Sequence, residues 1–409
     1  MEFITNIEKK EYETFVENHK HSHFLHSYAW GEVSKTRGLT PHYIGVKENN
    51  KLIAATLLLQ KQLPLGYSYF YIPRGYCLDY NNKDLLKFLT ENIKDYTKKY
   101  KSIFFEIDPD IKLHTIDKNG NKIDGENNYK LVEDLKKIGY HHKKLTYFFE
   151  SNQPRFTFRV DTTKEKEEIQ SRYSKSVKRW IKVANKYGVE TYIGTKDNVK
   201  DFVRLMKQTE KRQKFFSHDY NFYPKFYDIM EKYDYINIFL AKVNLNNIIK
   251  VLNEELEKDE SRKEKLTKLI EHYTTLKTNG NEQIVSSYIT INYGNKSWYL
   301  YGANDMDFKD TYANFKLFDH QIIHTHEIGK DLLDEFGTVG KPNSKKSGAS
   351  LHEFKQKFGG EYIEFIGEFD YITNKFMYLT LFKMIIPLYR KIRKGINHIK
   401  VKHNKNKEN

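Results

Sequence analysis

The order of local patterns along this chain repeats, and the repetition constrains the fold more than any single motif. Residues 43–59 alternate apolar and polar around Glu48-Asn49-Asn50-Lys51, which predicts a β-hairpin with a polar turn. A strand is predicted at 67–72, a helix at 85–96 from its apolar spacing, and a short strand at Ser102–Ile107 that stops at Asp108-Pro109. A similar order returns later: helices at 163–187 and 199–214, strands at 237–243, 284–291 and 297–301, then a helix at 311–326. The expectation is two mixed α/β halves of comparable plan, and 409 residues are more than one ordinary small core accommodates.

Residues 247–279 interrupt the second half. Ile248, Val251, Leu252 and Leu256 precede Lys258-Asp259-Glu260-Ser261, and Leu266, Leu269, Ile270, Tyr273 and Leu276 follow at the same three-and-four spacing. This predicts an antiparallel helical hairpin inserted in a sheet, and a solvated surface hairpin without a partner fits the pattern equally well.

Lys and Arg total 69 against 54 for Asp and Glu, a formal charge of +15 that favours a polyanionic partner: RNA, anionic lipid or a nucleotide-linked substrate. Cys77 is the single cysteine, so neither a disulfide framework nor a thiolate zinc site is available, which suits a reducing compartment. The amino terminus runs straight into charged sequence without the pattern of a signal peptide, and a cytoplasmic location is expected. No stretch approaches the roughly 20 apolar residues of a spanning helix; the nearest, 376–388, is interrupted by Lys383. Beyond it come Arg390, Lys391, Arg393, Lys394, Lys400, Lys402, Lys405 and Lys407 against Glu408. Such a tail behind an amphipathic helix suits peripheral contact with an anionic inner leaflet, or it is a disordered solubilising tail.

Several clusters carry residues with chemical potential. Lys175, Lys178, Arg179, Lys182 and Lys186 recur at helical spacing, with Arg172 a turn earlier and Trp180 and Tyr187 interleaved. The stripe suits a phosphate backbone, or it is a solvated face. Ser344-Lys345-Lys346-Ser347-Gly348-Ala349-Ser350 leads into Leu351-His352-Glu353-Phe354-Lys355-Gln356-Lys357-Phe358-Gly359-Gly360, where turn amides and a lysine would favour an anionic oxygen. A plain turn into a strand accounts for the glycines as well. Asp108, at the end of an apolar strand, either orients or deprotonates an amine or forms an Asx turn before Pro109. His21, His23, His26, His324 and His326 lack ligand spacing with supporting carboxylates or thiolates, so no metal site is expected. Without a P-loop, a G-x-S-x-G elbow or a Rossmann fingerprint, nucleotide hydrolysis and serine-hydrolase chemistry have no residues to support them.

Several segments, in order, resemble the Fem family (FemABX) of aminoacyl-tRNA-dependent peptidoglycan cross-bridge transferases. They begin with Ser27-Tyr28-Ala29-Trp30-Gly31-Glu32-Val33-Ser34-Lys35, Tyr71-Ile72-Pro73-Arg74-Gly75 and Phe105-Glu106-Ile107-Asp108-Pro109. Gln153-Pro154-Arg155-Phe156-Thr157, Ser176-Val177-Lys178-Arg179-Trp180-Ile181-Lys182 and Trp298-Tyr299-Leu300-Tyr301-Gly302 follow. The series ends with Phe354 to Gly360 and Tyr362-Ile363-Glu364-Phe365-Ile366-Gly367-Glu368-Phe369-Asp370.

The resemblance implies an α/β (α+β) fold of two acetyltransferase-like (GNAT-type) domains. The first would comprise 1–155 plus 361–390 and the second 156–360, with the hairpin 247–279 inserted in the second and a basic tail at 391–409. It implies transfer of an aminoacyl group from tRNA to an amine on the stem or branch peptide of a precursor, lipid II or UDP-MurNAc-pentapeptide, with no cofactor. By the same resemblance Lys355 and Phe354 lie at the acyl-transfer centre, Asp108 lies near the acceptor amine, and Tyr299 and Tyr301 fall on a precursor-contacting strand. Lys35 would meet precursor phosphates, and Trp30, Arg74 and Tyr223 complete the substrate-binding set. The Lys175, Lys178, Arg179, Lys182 and Lys186 stripe would bind tRNA, and the hairpin would contact tRNA or a protein.

Two departures stand out. Lys35 sits one position off the usual spacing, with Ser34 where the lysine often falls. His218, within Phe215-Phe216-Ser217-His218-Asp219-Tyr220-Asn221-Phe222-Tyr223, stands where the family commonly has a phosphate-binding arginine, so a weaker or pH-dependent contact is expected. The competing readings are a coenzyme-A-dependent N-acyltransferase, for which no Q/R-x-x-G-x-G/A pattern is present, and a non-catalytic RNA-binding or membrane-tethered scaffold. The amino acid transferred, first addition against extension, and the linkage of the acceptor stay open.

Overall fold

The computed structural model describes residues 1–213, 218–342 and 348–385. Residues 215–217, 344–347 and the basic tail from Arg390 onward, all used above, lie outside the described residues, as does Lys214.

Two sheets organise the chain, one of seven strands and one of nine. In the smaller, Thr40–Glu48 and Lys51–Gln62 are joined by Asn49 and Asn50, both at positive φ (49° and 64°), the geometry of a two-residue turn matched to strand twist. Ser68–Ile72 continues the antiparallel run. The helix Lys83–Lys98 then carries the chain over, and Ser102–Ile107 lies parallel to Ser68–Ile72, because parallel neighbours require a crossover. The larger sheet repeats the plan with Ile236–Asn244, Glu282–Tyr293 and Lys296–Asn304 antiparallel, the helix Ala313–Glu327, and Leu332–Thr338 parallel to Lys296–Asn304. The expected mixed α/β fold with two halves of similar plan is therefore what the chain adopts.

Hydrogen bonding departs from the expected segment boundaries. Lys112–Ile116 and Lys122–Asn127, from the amino-terminal part, and Glu361–Phe365 all belong to the nine-stranded sheet. Glu361–Phe365 joins it by pairing with Phe156–Asp161. The chain returns to the smaller sheet only at Phe369–Ile372, which pairs with Ser102–Ile107. These exchanged strands are short and polar at their edges, so alternation alone did not mark them.

The expected single helix over 163–187 is two, Lys166–Ser171 and Lys175–Lys186, because Ser174 accepts from the Val177 amide and starts a new helix. The inserted hairpin is present as Leu245–Lys258 and Lys263–Leu276. Its Ile248, Leu252, Leu266 and Tyr273 are buried in the core beneath the larger sheet, with Tyr273 facing Phe308. It is thus a docked element rather than a free-standing arm. A further core is shared between the halves: Phe24, Trp30 and Leu59 pack in one cluster with Phe202, Tyr223 and Trp298. Trp298 contacts the rings of both His23 and Phe24. Burial of such large rings against each other makes the two halves one packed body.

Candidate active site

Asp108 sits where the apolar strand Ser102–Ile107 ends, and it is almost completely buried. Its carboxylate is not spent on an Asx turn. One oxygen accepts from the Arg74 backbone amide at 2.6 Å and the other from the Tyr71 hydroxyl at 2.8 Å. Burial pushes the Asp108 carboxyl up from 3.8 to about 7, against the pull of the Arg74 charge and these hydrogen bonds. The donor from residue 74 arrives through a left-handed turn: Arg74 has φ of 57° and Gly75 of 77°. A Cβ on Gly75 would stand 2.5 Å from the Tyr80 hydroxyl and 3.1 Å from Pro109, so only glycine lets the turn press on the Asp108-Pro109 corner. The Arg74 guanidinium lies over the Phe365 ring at 4.6 Å and donates to the Pro154 carbonyl at 3.2 Å.

Asp108 and Arg74 line a small recess with Gln153, Arg155, Phe365 and Glu368. Gln153 and Tyr71 lead from it to a larger cleft of about 350 Å³ between the halves. Phe24, Leu25, Trp30, Tyr69 and Tyr71 from the first half and Leu300, Tyr301 and Phe336 from the second line that cleft. Two exposed cations, Arg37 and Lys61, stand in its lining. An apolar, aromatic cleft with a few charged groups at its edge suits an elongated ligand that is anionic at one end.

The sequence-derived residues divide sharply. Asp108, Arg74, Trp30, His218 and Tyr301 come together around the recess and cleft. Lys35 is exposed on the last turn of the helix Tyr28–Thr36, and Arg37, which closes that helix, takes the place in the cleft expected of it. Tyr223 is wholly buried behind the wall, edge-on to Tyr301. Tyr299 and Tyr301 face opposite ways, because a bulge leaves Leu300 without a counterpart: Tyr301 pairs with Ile289 and Tyr299 with Thr290. Tyr299 packs on Tyr288 and Phe318 in the second core. The Nε2 of His218 is 3.0 Å from the Tyr301 hydroxyl. Burial, aided by the Arg37 charge, lowers the His218 pKa to about 4, so the imidazole is neutral near pH 7. A neutral imidazole offers a hydrogen bond but no charge.

Lys355 and Phe354 do not reach the cleft. Phe354 is half-buried among Phe315, Phe318 and Phe358. Lys355 is buried, and its ammonium donates to the carbonyls of Glu335, of Phe336 at 3.2 Å and of Gly337 at 2.8 Å. Burial lowers its pKa to about 8, with the Glu335 and Asp334 charges opposing. This cage encloses a register shift between Asp334 and Gly337 in which Phe336 takes φ of 56°. Thr157 also donates to the Phe336 carbonyl, at 2.8 Å, and the Phe336 amide donates to Asp334 at 2.8 Å. The strained segment so held is the one that sets Phe336 in the cleft wall. The turn Gly359-Gly360 is not an anion cradle, since it is packed against Arg172 and the backbone of Arg159.

Lys175, Lys178, Arg179, Lys182 and Lys186 are all exposed on the helix Lys175–Lys186. Lys186 pairs with Glu255 of the hairpin at 2.6 Å, whereas Lys175, Arg179 and Lys182 have no ion pair among the described residues. Trp180 is stacked on Tyr312, so it packs rather than presents a free face. Ser174, which caps this helix, donates its amide to the carbonyl of Lys357, one turn from Phe354. Among the described residues no cluster of three or more His, Cys, Asp or Glu could hold a metal ion.

Sequence reasoning missed Tyr71, Arg37, Lys61, Phe336 and Gln153. Tyr71 stood inside a quoted segment, two residues short of the turn, where strand alternation places it on the Asp108 side. Arg37 and Lys61 were indistinguishable from other surface cations.

A mixed α/β chain with two sheets of one plan and a cleft between them defines a class, and comparison identifies it. The FemAB family matches residues 7–280 and 267–384, and the chain belongs to that family. The chain is 28% identical over 400 residues to the lipid II:glycine glycyltransferase of Staphylococcus epidermidis, covering 91% of this chain and 93% of the relative. Against the protein of the same name from Staphylococcus aureus it is 26% identical over 421 residues, covering 95% and 97%. The crystal structure of FemX superposes with a TM-score of 0.78 at 26% identity, covering 93% of this chain and 99% of FemX.

Proposed function

We propose that this chain transfers an aminoacyl group from aminoacyl-tRNA to an amine of the stem or branch peptide of a peptidoglycan precursor. Family membership over nearly the full length supports the class, and the names of the staphylococcal relatives make lipid II and glycine the first pair to test. The observation that carries the reading is the buried Asp108 carboxyl, raised to about 7 and tied to Tyr71, beside a cleft edged by Arg37 and Lys61.

In the proposed reaction the amine nitrogen attacks the ester carbonyl carbon. A C–N bond forms, the C–O bond to the tRNA ribose breaks, the amine loses a proton and the ribose oxygen gains one. A carboxyl titrating near 7 suits the base role at neutral pH, and the Tyr71 hydroxyl, which already donates to Asp108 and lines the cleft, relays the proton. Arg37 and Lys61 bind precursor phosphates, Trp30 and Tyr301 flank the ligand, and His218 adds a neutral hydrogen-bonding group. Lys175, Arg179 and Lys182 provide the tRNA contact. Lys355 acts as a positioning residue through Phe336, and Phe354 supports the same corner.

The test is to incubate the purified chain with a pool of aminoacyl-tRNAs and with lipid-linked or nucleotide-linked precursor, then identify the product by mass. A precursor heavier by one amino acid residue is expected, with none formed from acetyl-CoA. An acetylated product, or none with any charged tRNA, overturns the proposal. Tyr71→Phe is expected to lower turnover by about 10²-fold or more while leaving precursor affinity intact.

A further inference from the structure

The last described helical segment, Lys375–Met377 continuing into Tyr378–Ile385, sorts its residues by face. Tyr378 and Leu381 are buried with Ile103 and Phe104, and Phe382 lies 4.4 Å from Phe104 between ring centres. The opposite face leaves Phe376 73%, Leu379 50% and Met384 67% exposed. A second element brings another bare side chain to the same region. Leu65, in the turn Pro64–Gly66, has φ of 62° and is 79% exposed. Its neighbours Leu63 and Tyr67 pack in the same cluster as Tyr378 and Leu381. Two separate chain segments therefore share one apolar foot and turn large side chains outward from it. Isolated exposed leucines need no explanation, but a gathered set does.

Charge decides what covers this face. Lys375 and Lys383 are exposed on the helix itself, and the sequence beyond Ile385 runs from Arg390 to Lys407 with cations opposed by Glu408 alone. An apolar row flanked by lysines and followed by a basic run is the chemistry of an anionic lipid surface: acyl chains accept the apolar groups and headgroups the cations. A second copy of the chain would bring the same positive charge against itself. Among the described residues no helix is long and apolar enough to cross a membrane, so the contact is peripheral.

We infer that Leu65, Phe376, Leu379 and Met384 form a docking face for anionic phospholipid bilayers. The helix that bears this face meets the cleft lining on its inner side, because Tyr69 both packs on Phe382 and lines the cleft. Docking therefore brings the cleft close to the bilayer surface, where a lipid-anchored acceptor would present its headgroup.

The test uses the full chain and vesicles without any precursor, so its outcome is independent of the acyl-transfer reading. Co-sedimentation is measured with phosphatidylcholine vesicles and with vesicles containing phosphatidylglycerol, for the natural chain and for a Phe376→Ser, Leu379→Ser, Met384→Ser variant. Binding to the anionic vesicles alone is expected, weakened about tenfold or more in the variant, with an unchanged circular dichroism spectrum. Leu65→Ser, at an exposed turn, is expected to weaken binding by a smaller factor without affecting folding. Equal partition of the natural chain and the triple variant overturns the inference, as does no binding to either vesicle. Light scattering that shows a dimer dissociated by the triple variant, with vesicle binding unchanged, assigns the face to self-association and also overturns it.

Discussion

Replacing Lys355 with Met separates two roles that the resemblance alone cannot separate. The ammonium donates to three carbonyls in a site where the residue is only 3% exposed. Met fills a similar volume but donates nothing. The Phe336 carbonyl competes with the Asp334 carboxylate for the single Thr157 hydroxyl hydrogen, at 2.8 and 2.6 Å, while the Glu335 and Gly337 carbonyls lose this donor outright. A buried acceptor deprived of its donor costs about 1–3 kcal/mol. The buried Glu335 carboxyl, whose pKa burial raises and the Lys355 charge lowers, also loses its counter-charge. Glu335, which has no ion pair with Lys355 among the described residues, can take up a proton rather than stay charged, and two carbonyls left without this donor place the loss at about 2–6 kcal/mol. Urea unfolding measures it, and the Glu335→Gln, Lys355→Met double variant is expected to recover part of the loss. A direct oxyanion donor predicts a different pattern: a fall in turnover of about 10²–10³-fold with stability unchanged. Natural stability in Lys355→Met together with a collapse of turnover refutes the positioning argument and returns the lysine to the chemistry.

Asp108→Asn tests the carboxyl at the recess. Its folded value of about 7 lies above the ordinary 3.8, so the folded state binds the proton more tightly. Its stabilising contribution is full below about pH 4 and is lost as pH rises through about 7, so the natural chain should lose stability over that range relative to the variant when both are titrated. Turnover of the natural chain should rise through about pH 7, and the variant should lack that rise. For His218, whose pKa is lowered to about 4, precursor affinity measured from pH 6 to 8 should show no step from this group; a transition removed by His218→Gln contradicts the assignment. Replacing Lys175, Arg179 and Lys182 with Ala should make the logarithmic salt dependence of tRNA binding shallower by about 2, with precursor affinity unchanged. An unaltered slope removes the helix from the tRNA site.

Long, periodic elements were legible because burial on one face leaves a pattern in the letters. The strand Ser102–Ile107, the hairpin around Asn49-Asn50 and the two crossover helices all follow from local spacing. The exchanged strands were not legible, since whether Lys112–Ile116 pairs at home or across the molecule depends on partners distant in sequence. The same limit explains the site. Asp108 stood out by its place at a strand end, with an Asx turn before Pro109 as the competing reading. The opposite facing of Tyr299 and Tyr301 was not, because simple alternation gives residues two apart the same face and only the bulge at Leu300 reverses it. Lys355 illustrates the limit for charged groups: a lysine written beside a glycine pair reads as an anion binder, yet three carbonyls on Leu332–Thr338 claim its donors.

The exchanged strands also restrict how substrates enter. Arg159, in the larger sheet, donates to Asp110 at 2.5 Å and to Asp334 at 2.8 Å, so one half-buried guanidinium ties the corner after Asp108 to the strand that carries Phe336. Burial alone would raise the Asp110 pKa, yet the Arg159 charge holds that carboxyl well below its usual range. Separating the halves as rigid bodies would break this pairing, pull Glu361–Phe365 from Lys112–Ile116 and expose the shared Trp30 and Trp298 core, and buried charged pairs alone cost about 3–5 kcal/mol to break. Opening by a hinge between the halves is therefore costly. The segment bearing Asn152 and Gln153 is different: it contributes to the cleft from an irregular stretch, held by Asn152 to Glu106 at 2.6 Å and to Glu368 at 2.7 Å. Burial and the Glu368 charge raise the Glu106 pKa, opposed by the Lys143 ammonium at 3.0 Å, and the carboxyl oxygen accepts from Asn152 in either protonation state. This part of the cleft lining is therefore tethered by two side-chain-mediated bonds rather than by the strand pairing and shared core that interlock the halves.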